Sequence, residues 1–231
     1  MADRPSLARE IIGLVGYVAL FATLMFVGAG TWRWPRAWVL LGVLFALRVL
    51  SLALLWSTQG DLLVERAKGP IQSGQSLADR FLLAAYMATY AAVVSFSAAD
   101  VWRLHLLPPL PTWFRTLGLA AFIVGTGIVH NALRTNPFAA LVVRTQEERG
   151  QFVVREGPYG IVRHPMYAGI IPVMLGVAAW LGSAAGMIAV LVPTLILCVR
   201  ILLEERMLRT KLPGYEDYMR QVRWRLLPHI W

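Results

Sequence analysis

AGIIPVMLGVAAWLGSAAGMIAVLVPTLILCV, residues 168–199, runs for 32 residues without a charged side chain. A bilayer core of ~30 Å is crossed by about 20 apolar residues in a helix. The block is too long for one span and short for two full ones. At ~1.5 Å rise per residue a single helix of this length would reach about 48 Å. Gly182-Ser183 near its middle offers a turn. The stretch therefore predicts a tight helical hairpin with arms Met166–Leu181 and Ala184–Arg206. Pro172 and Pro193 should loosen the arms, which is tolerated where protein or a water-filled cavity satisfies the freed backbone groups.

Four further apolar blocks precede it. Ile11 to Gly30 and Phe81 to Ala99 carry no charge; Ala37 to Trp56 carries only Arg48, and Trp113 to Leu133 only Arg115. Each is long enough for one span. The first has Arg4 and Arg9 ahead of it, but 20 apolar residues exceed the 7–15 of a cleaved signal. The composition agrees: 58% hydrophobic and 15% charged, against about 25% charged in soluble domains. The fold class is all-α, a polytopic membrane helical bundle of about six hydrophobic helices, the last two forming the hairpin. Five spans plus a re-entrant piece is the alternative. One integrated domain is expected, with residues 1–141 as an N-terminal transmembrane bundle and 142–231 as the segment carrying the chemistry.

The basic residues set the orientation. With the N-terminus inside, the inner segments collect 17 of the 22 Lys and Arg, among them Arg4, Arg9, Arg66, Lys68, Arg80, Arg144, Arg163 and Arg206. The outer loops hold Arg33, Arg36, Arg103 and Arg115. This is a strong positive-inside bias, which places both termini in the cytosol. It also accounts for the net charge of +9 through anionic headgroups rather than nucleic acid. Trp32, Trp34, Trp38, Trp102 and Trp113 read as an interfacial belt. The single Cys198 leaves no internal disulfide and says nothing of the compartment.

No Gly-rich phosphate loop follows a strand, and no histidine has a partner at metal-ligand spacing. Gly125-Thr126-Gly127 lies within a span, where small residues serve helix packing. Chemistry concentrates in Gly157-Pro158-Tyr159 through Arg163-His164-Pro165-Met166-Tyr167, just before the hairpin, and in Arg200 with Glu204 and Glu205 after it. Read plainly, the first segment is a basic anchor with interfacial tyrosines, and Arg200–Glu204 an i,i+4 ion pair on one helix face. Read functionally, the two form the walls of a pocket at the inner membrane face. Its aromatic faces and Glu204 would suit a cationic water-soluble ligand, and Arg200 an anionic group. An Arg within the apolar span is costly, which favours a role for it; Arg48, also mid-span, reads as packing or snorkelling.

These pieces, with Tyr215-Glu216-Asp217-Tyr218 and Leu226-Leu227-Pro228, keep the order and spacing of a known family over residues 142–229. The segment resembles the isoprenylcysteine carboxyl methyltransferases, within the wider group of membrane phospholipid-type methyltransferases. The resemblance implies a transferase that binds S-adenosyl-L-methionine at the cytosolic face and methylates a lipophilic or lipid-modified acceptor, with no metal. It places cofactor contacts on Gln151, Phe152, Val153, Val154, Tyr159, His164, Pro165, Met166, Tyr167 and Glu204, with either Arg144 or Gln146 as a further contact. It puts Arg200 on the substrate side, and Arg200, Glu204 and His164 as the catalytic group. Gln151 stands where many relatives have His, and Arg144 where eukaryotic members have Gln. A carboxylate acceptor is already ionised near neutral pH, whereas an amine must first lose a proton; the residues favour carboxyl O-methylation, with phospholipid amine N-methylation as the alternative. An NADPH-dependent sterol-type reductase and a non-enzymatic transporter or scaffold are the rivals of other classes. The absence of duplicated halves weighs against a transporter.

Overall fold

The computed structural model describes residues 6–231; Arg4, counted above among the inner basic residues, lies outside them. Among the described residues nine α-helices follow in order: α1 Leu7–Ala29, α2 Pro35–Thr58, α3 Gly60–Ala67, α4 Leu77–Ala99, α5 Thr112–Thr135, α6 Pro165–Leu181, α7 Ala184–Ala189, α8 Leu191–Lys211 and α9 Tyr215–Gln221. No strand occurs among the described residues. Five stretches are long and apolar enough to span a bilayer: α1, α2, α4 with its π-turn to Leu104, α5, and α7 with α8. The shorter α6 makes the sixth hydrophobic helix. Their outward faces remain apolar, with Ile12, Val27, Phe81 and Leu195 more than half exposed. In water such a surface would aggregate; in lipid it is the expected exterior. The chain is an integral membrane protein of the polytopic helical class.

The hairpin forms where its sequence placed it. Gly182 takes φ 102°, a left-handed conformation that a side chain would strain, and Ser183 caps the next helix by accepting from the Gly186 N–H at 2.7 Å. The second arm differs from the expected continuous helix. It breaks at Val190 into α7 and α8 and then runs on through Lys211. Pro193, three residues into α8, has no N–H to give to the preceding turn and crowds its carbonyl.

The first arm is held by close backbone contact. Gly118 and Gly125 on α5 face Gly169 and Gly176 on α6. A Cβ added to Gly125 would stand 2.7 Å from the Gly169 carbonyl oxygen, and one on Gly176 would stand 2.5 Å from that of Gly118. Only glycine at these seven-residue intervals lets the two backbones touch, the small-residue packing used inside membranes. This is the packing role expected for Gly125. Gly127 meets nothing within 4 Å.

Arg36 and Arg115 gather around Gly182, and Arg103 around Gly30, at one end of the bundle. Arg9, α3, the 136–164 loop and the C-terminal tail meet at the other end, where Arg9 donates to the Ala67 carbonyl and the Arg163 and His164 amides donate to the carbonyls of Trp224 and Arg225, both at 2.9 Å. The two groups of basic residues separated in sequence are thus separated in space. His130 lies 2.9 Å through Nδ1 from Ser51 Oγ. Arg48 sits over the Tyr17 ring at 4.9 Å.

Candidate active site

Where α6 and α8 meet the 136–154 loop, a cleft of roughly 800 Å3, its open mouth included, is enclosed. One wall is the start of α6, entered through His164, with Pro165 at its first turn, where a missing N–H costs nothing. The opposite wall is α8, which turns Glu204 toward the cleft. The roof is the extended stretch Gln151–Val154, and Tyr215 and Tyr218 of α9 close the far side.

The two adjacent glutamates do different work because they point about 100° apart on their helix. Glu204 lines the cleft and accepts from the Tyr167 hydroxyl at 3.0 Å. Glu205 is buried. Its Oε1 accepts from Arg163 Nε at 2.7 Å and lies 3.3 Å from His164 Nε2, and its Oε2 accepts from Arg225 Nε at 2.9 Å. Arg163 also donates to the Val222 and Arg223 carbonyls at 2.8 and 2.7 Å. Glu205 therefore fastens the C-terminal tail beneath the His164–Tyr167 wall. His164 is committed to this strut through Nε2, with its ring stacked 5.7 Å from that of Tyr167.

Arg200 is not paired with Glu204, as its i,i+4 spacing suggested. Its Nε donates to Asp79 Oδ1 at 2.7 Å and its Nη2 to the Leu141 carbonyl at 2.6 Å. Asp79, at the start of α4, also accepts from Gln75 Nε2 at 2.7 Å and from the Val143 N–H at 2.9 Å. Arg200 is buried, does not line the cleft, and touches it only from behind, its guanidinium 5.9 Å from the Tyr167 ring centre.

Of the two candidates left open in the loop, Arg144 lines the cleft and Gln146 does not. Gln146 is buried, with its Nε2 donating to the Phe138 carbonyl at 2.8 Å and its N–H to Gln151 Oε1 at 2.7 Å. It shapes the loop that carries Gln151. Arg144 is clamped by Glu65 at 2.7 Å and Glu148 at 2.6 Å. Burial opposes the charge of Glu65, but the bonds from Lys68 and Arg144 outweigh it and hold its carboxyl below the ordinary range. Burial pushes the phenols of Tyr159, Tyr215 and Tyr218 well up, so all three stay neutral. Phe138 meets Phe152 edge to face at 5.1 Å.

Gln151, Phe152, Val153, Val154, Tyr159, His164, Met166, Tyr167 and Glu204 thus converge on one cleft, together with Arg144; Pro165, Gln146 and Arg200 stand outside its lining. Sequence reasoning did not single out Asn136, Phe138 or Met207, which also line it. Nor did it assign partners to Asp79 and Glu65. Acids at the membrane ends of helices would have been the signal for those two, since such groups are rarely left unpaired.

Residues 113–213 match the sequence model of the phospholipid methyltransferase family. All the cleft-lining residues except Tyr215 and Tyr218 fall inside that range. Among solved structures, the chain is similar to the eukaryotic intramembrane Ras methyltransferase ICMT, isoprenylcysteine carboxyl methyltransferase. The TM-score is 0.55 and the identity 18%, over 96% of this chain and 77% of that one. At that identity the likeness speaks for the fold. A comparison with curated proteins finds no match. The two findings together support a membrane methyltransferase of ICMT-like architecture.

Proposed function

We propose that the protein transfers a methyl group from S-adenosyl-L-methionine to a lipophilic acceptor, with carboxyl O-methylation as the reaction. Residues 142–231 carry most of the cofactor site at the cytosolic face, with Asn136 and Phe138 joining it from just before, and residues 1–141 form the bundle through which the acceptor arrives. The observation that carries this reading is the cleft itself. It lies, apart from Tyr215 and Tyr218, within the matched family segment and joins a carboxylate, Glu204, to several neutral aromatic rings. A cation is stabilised by such rings and by a carboxylate in a site of low dielectric. That donor set fits a sulfonium next to an aromatic nucleobase.

The cofactor, when bound, supplies an electrophilic methyl group on positively charged sulfur. The chain's own residues hold the reactants in line. Phe138 and Phe152 offer faces for the base, Gln151 and the Val153–Val154 backbone offer polar edges, and Glu204 with Tyr167 faces the charge. Alignment of this kind is worth several kcal/mol of barrier. No residue in the cleft has to act as a base if the acceptor is a carboxylate. One of its oxygens forms the new bond to the methyl carbon, the carbon–sulfur bond breaks toward sulfur, and a neutral ester leaves with no proton to place. An amine acceptor would have to shed a proton, and His164, the nearest imidazole, already has Nε2 at Glu205.

The name of the matched family favours phospholipid amine methylation as a second reading. Calorimetry of the purified protein with S-adenosylmethionine and with S-adenosylhomocysteine tests the cofactor. No heat with either would remove the reading, and displacement by NADPH would point instead to a reductase. Transfer of a labelled methyl group onto a farnesylated cysteine or onto phosphatidylethanolamine then separates the two acceptors.

A further inference from the structure

Arg200 was expected to meet the acceptor, yet Asp79 neutralises it. Two other arginines near it have no such partner. Arg66, on α3, makes no salt bridge within 4.0 Å to any described residue, and neither does Arg48. Arg66 uses a single nitrogen, Nη1, to donate to the Ala139 carbonyl at 2.8 Å, with Met166 Sδ 4.0 Å away. Its Nε and Nη2 make no hydrogen bond to the described residues. Ala139 and Met166 both line the cleft, so Arg66 stands directly behind the cleft wall, on the side of the membrane bundle.

The surroundings of Arg66 have one electrical sign. Burial pulls its guanidinium down to about 10, and Arg48 and Arg200 push the same way, while the neutral Tyr159 and Tyr167 complete its neighbourhood. An arginine nonetheless keeps its proton. The acids nearby are committed elsewhere: Asp79 to Arg200, Glu65 to Lys68 and Arg144. A partly buried cation with no acidic partner is a group that an anionic ligand would satisfy.

Resting on the methyltransferase reading above, we propose that Arg66 is the positioning residue for an anionic headgroup on the lipophilic acceptor. Arg200 serves the fold instead, by joining α8 to α4. Arg66 presents a planar fork whose unused N–H groups match a carboxylate side-on, within reach of the wall that carries Met166 and Tyr167. Arg48, with its guanidinium over Tyr17, adds to the field without being anchored at the cleft.

The full chain in nanodiscs tests this, with N-acetyl-S-farnesylcysteine and its carboxamide as probes of equal shape and different charge. Wild type should bind the acid at least tenfold more tightly than the amide. Arg66→Gln should abolish that preference while S-adenosylhomocysteine affinity holds, and Arg66→Lys should restore part of it. A wild type that does not discriminate, or a preference that survives in Arg66→Gln, overturns the proposal. So does a preference lost in Arg66→Lys to the same degree as in Arg66→Gln, since a purely structural arginine behaves that way. S-adenosylhomocysteine binding to wild type in the same discs reports separately on the methyltransferase reading, and its absence would sink that reading whatever the acid and amide show.

Discussion

Arg200 on α8 and Asp79 on α4 lie 2.7 Å apart, 121 residues apart in sequence, and both are buried. Removing one member of such a pair leaves the other charged and enclosed, which costs roughly 3–5 kcal/mol, whereas replacing both by apolar groups can be neutral. Asp79→Asn should therefore lower the melting temperature in detergent sharply. Adding Arg200→Met to it should recover most of the loss. A double variant as unstable as the single would show that Arg200 contributes more than this pair.

The neighbouring glutamates should separate cofactor binding from folding. Glu204→Gln is expected to weaken S-adenosylmethionine binding about tenfold, near 1.4 kcal/mol, with the melting temperature almost unchanged. Glu205→Gln should do the reverse, because Arg163, His164 and Arg225 all lose charge at their shared partner. Calorimetry and thermal melts on the two variants read this directly.

Acid should loosen the α3 clamp. The Glu65 carboxyl titrates lower in the folded chain than in the unfolded one. Its contribution is therefore complete above the unfolded value of about 4.3 and is lost as the pH falls through the lower folded value. Melting temperature measured from pH 6 to pH 3 should decline more steeply in wild type than in Glu65→Gln.

The α5–α6 seam should not tolerate a methyl group. Gly176→Ala places a Cβ 2.5 Å from a carbonyl oxygen and 2.6 Å from the Phe122 amide nitrogen. The helices must part, at a cost of a few kcal/mol by analogy with overpacked cores. Gly127→Ala, which meets open space on the facing helix α5, should be neutral or gain up to ~1 kcal/mol from helix propensity. Equal behaviour of the two would mean the seam has slack.

The spans, the hairpin and its turn were legible because they depend on local composition: runs without charge, and a Gly-Ser pair where the chain must reverse. Most of the cleft was legible through the resemblance, since its residues come from two short stretches flanking that hairpin. What escaped the sequence was pairing at long range. Asp79 and Arg200, and Glu65 and Arg144 across 79 residues, meet only because α3, α4, α8 and the loop after α5 fold together. The local rule that joined Arg200 to Glu204 named the nearest partner along one helix. In the folded chain Asp79 is enclosed with Arg200, and Tyr167 takes Glu204. The division of labour between Glu204 and Glu205 likewise depends on which side of α8 the tail covers.

The shortness of α6 has a consequence for where the chemistry takes place. Its 17 residues rise about 25 Å, less than the ~30 Å of an ordinary hydrocarbon core. With the glycine seam fixing α6 against the longer α5, the shortfall cannot be absorbed by sliding. The His164–Tyr167 wall is then expected beneath the headgroup plane, near the depth where acyl chains begin. A thicker or thinner bilayer should shift that depth, which makes lipid chain length an expected control on the proposed reaction that no residue in the cleft supplies.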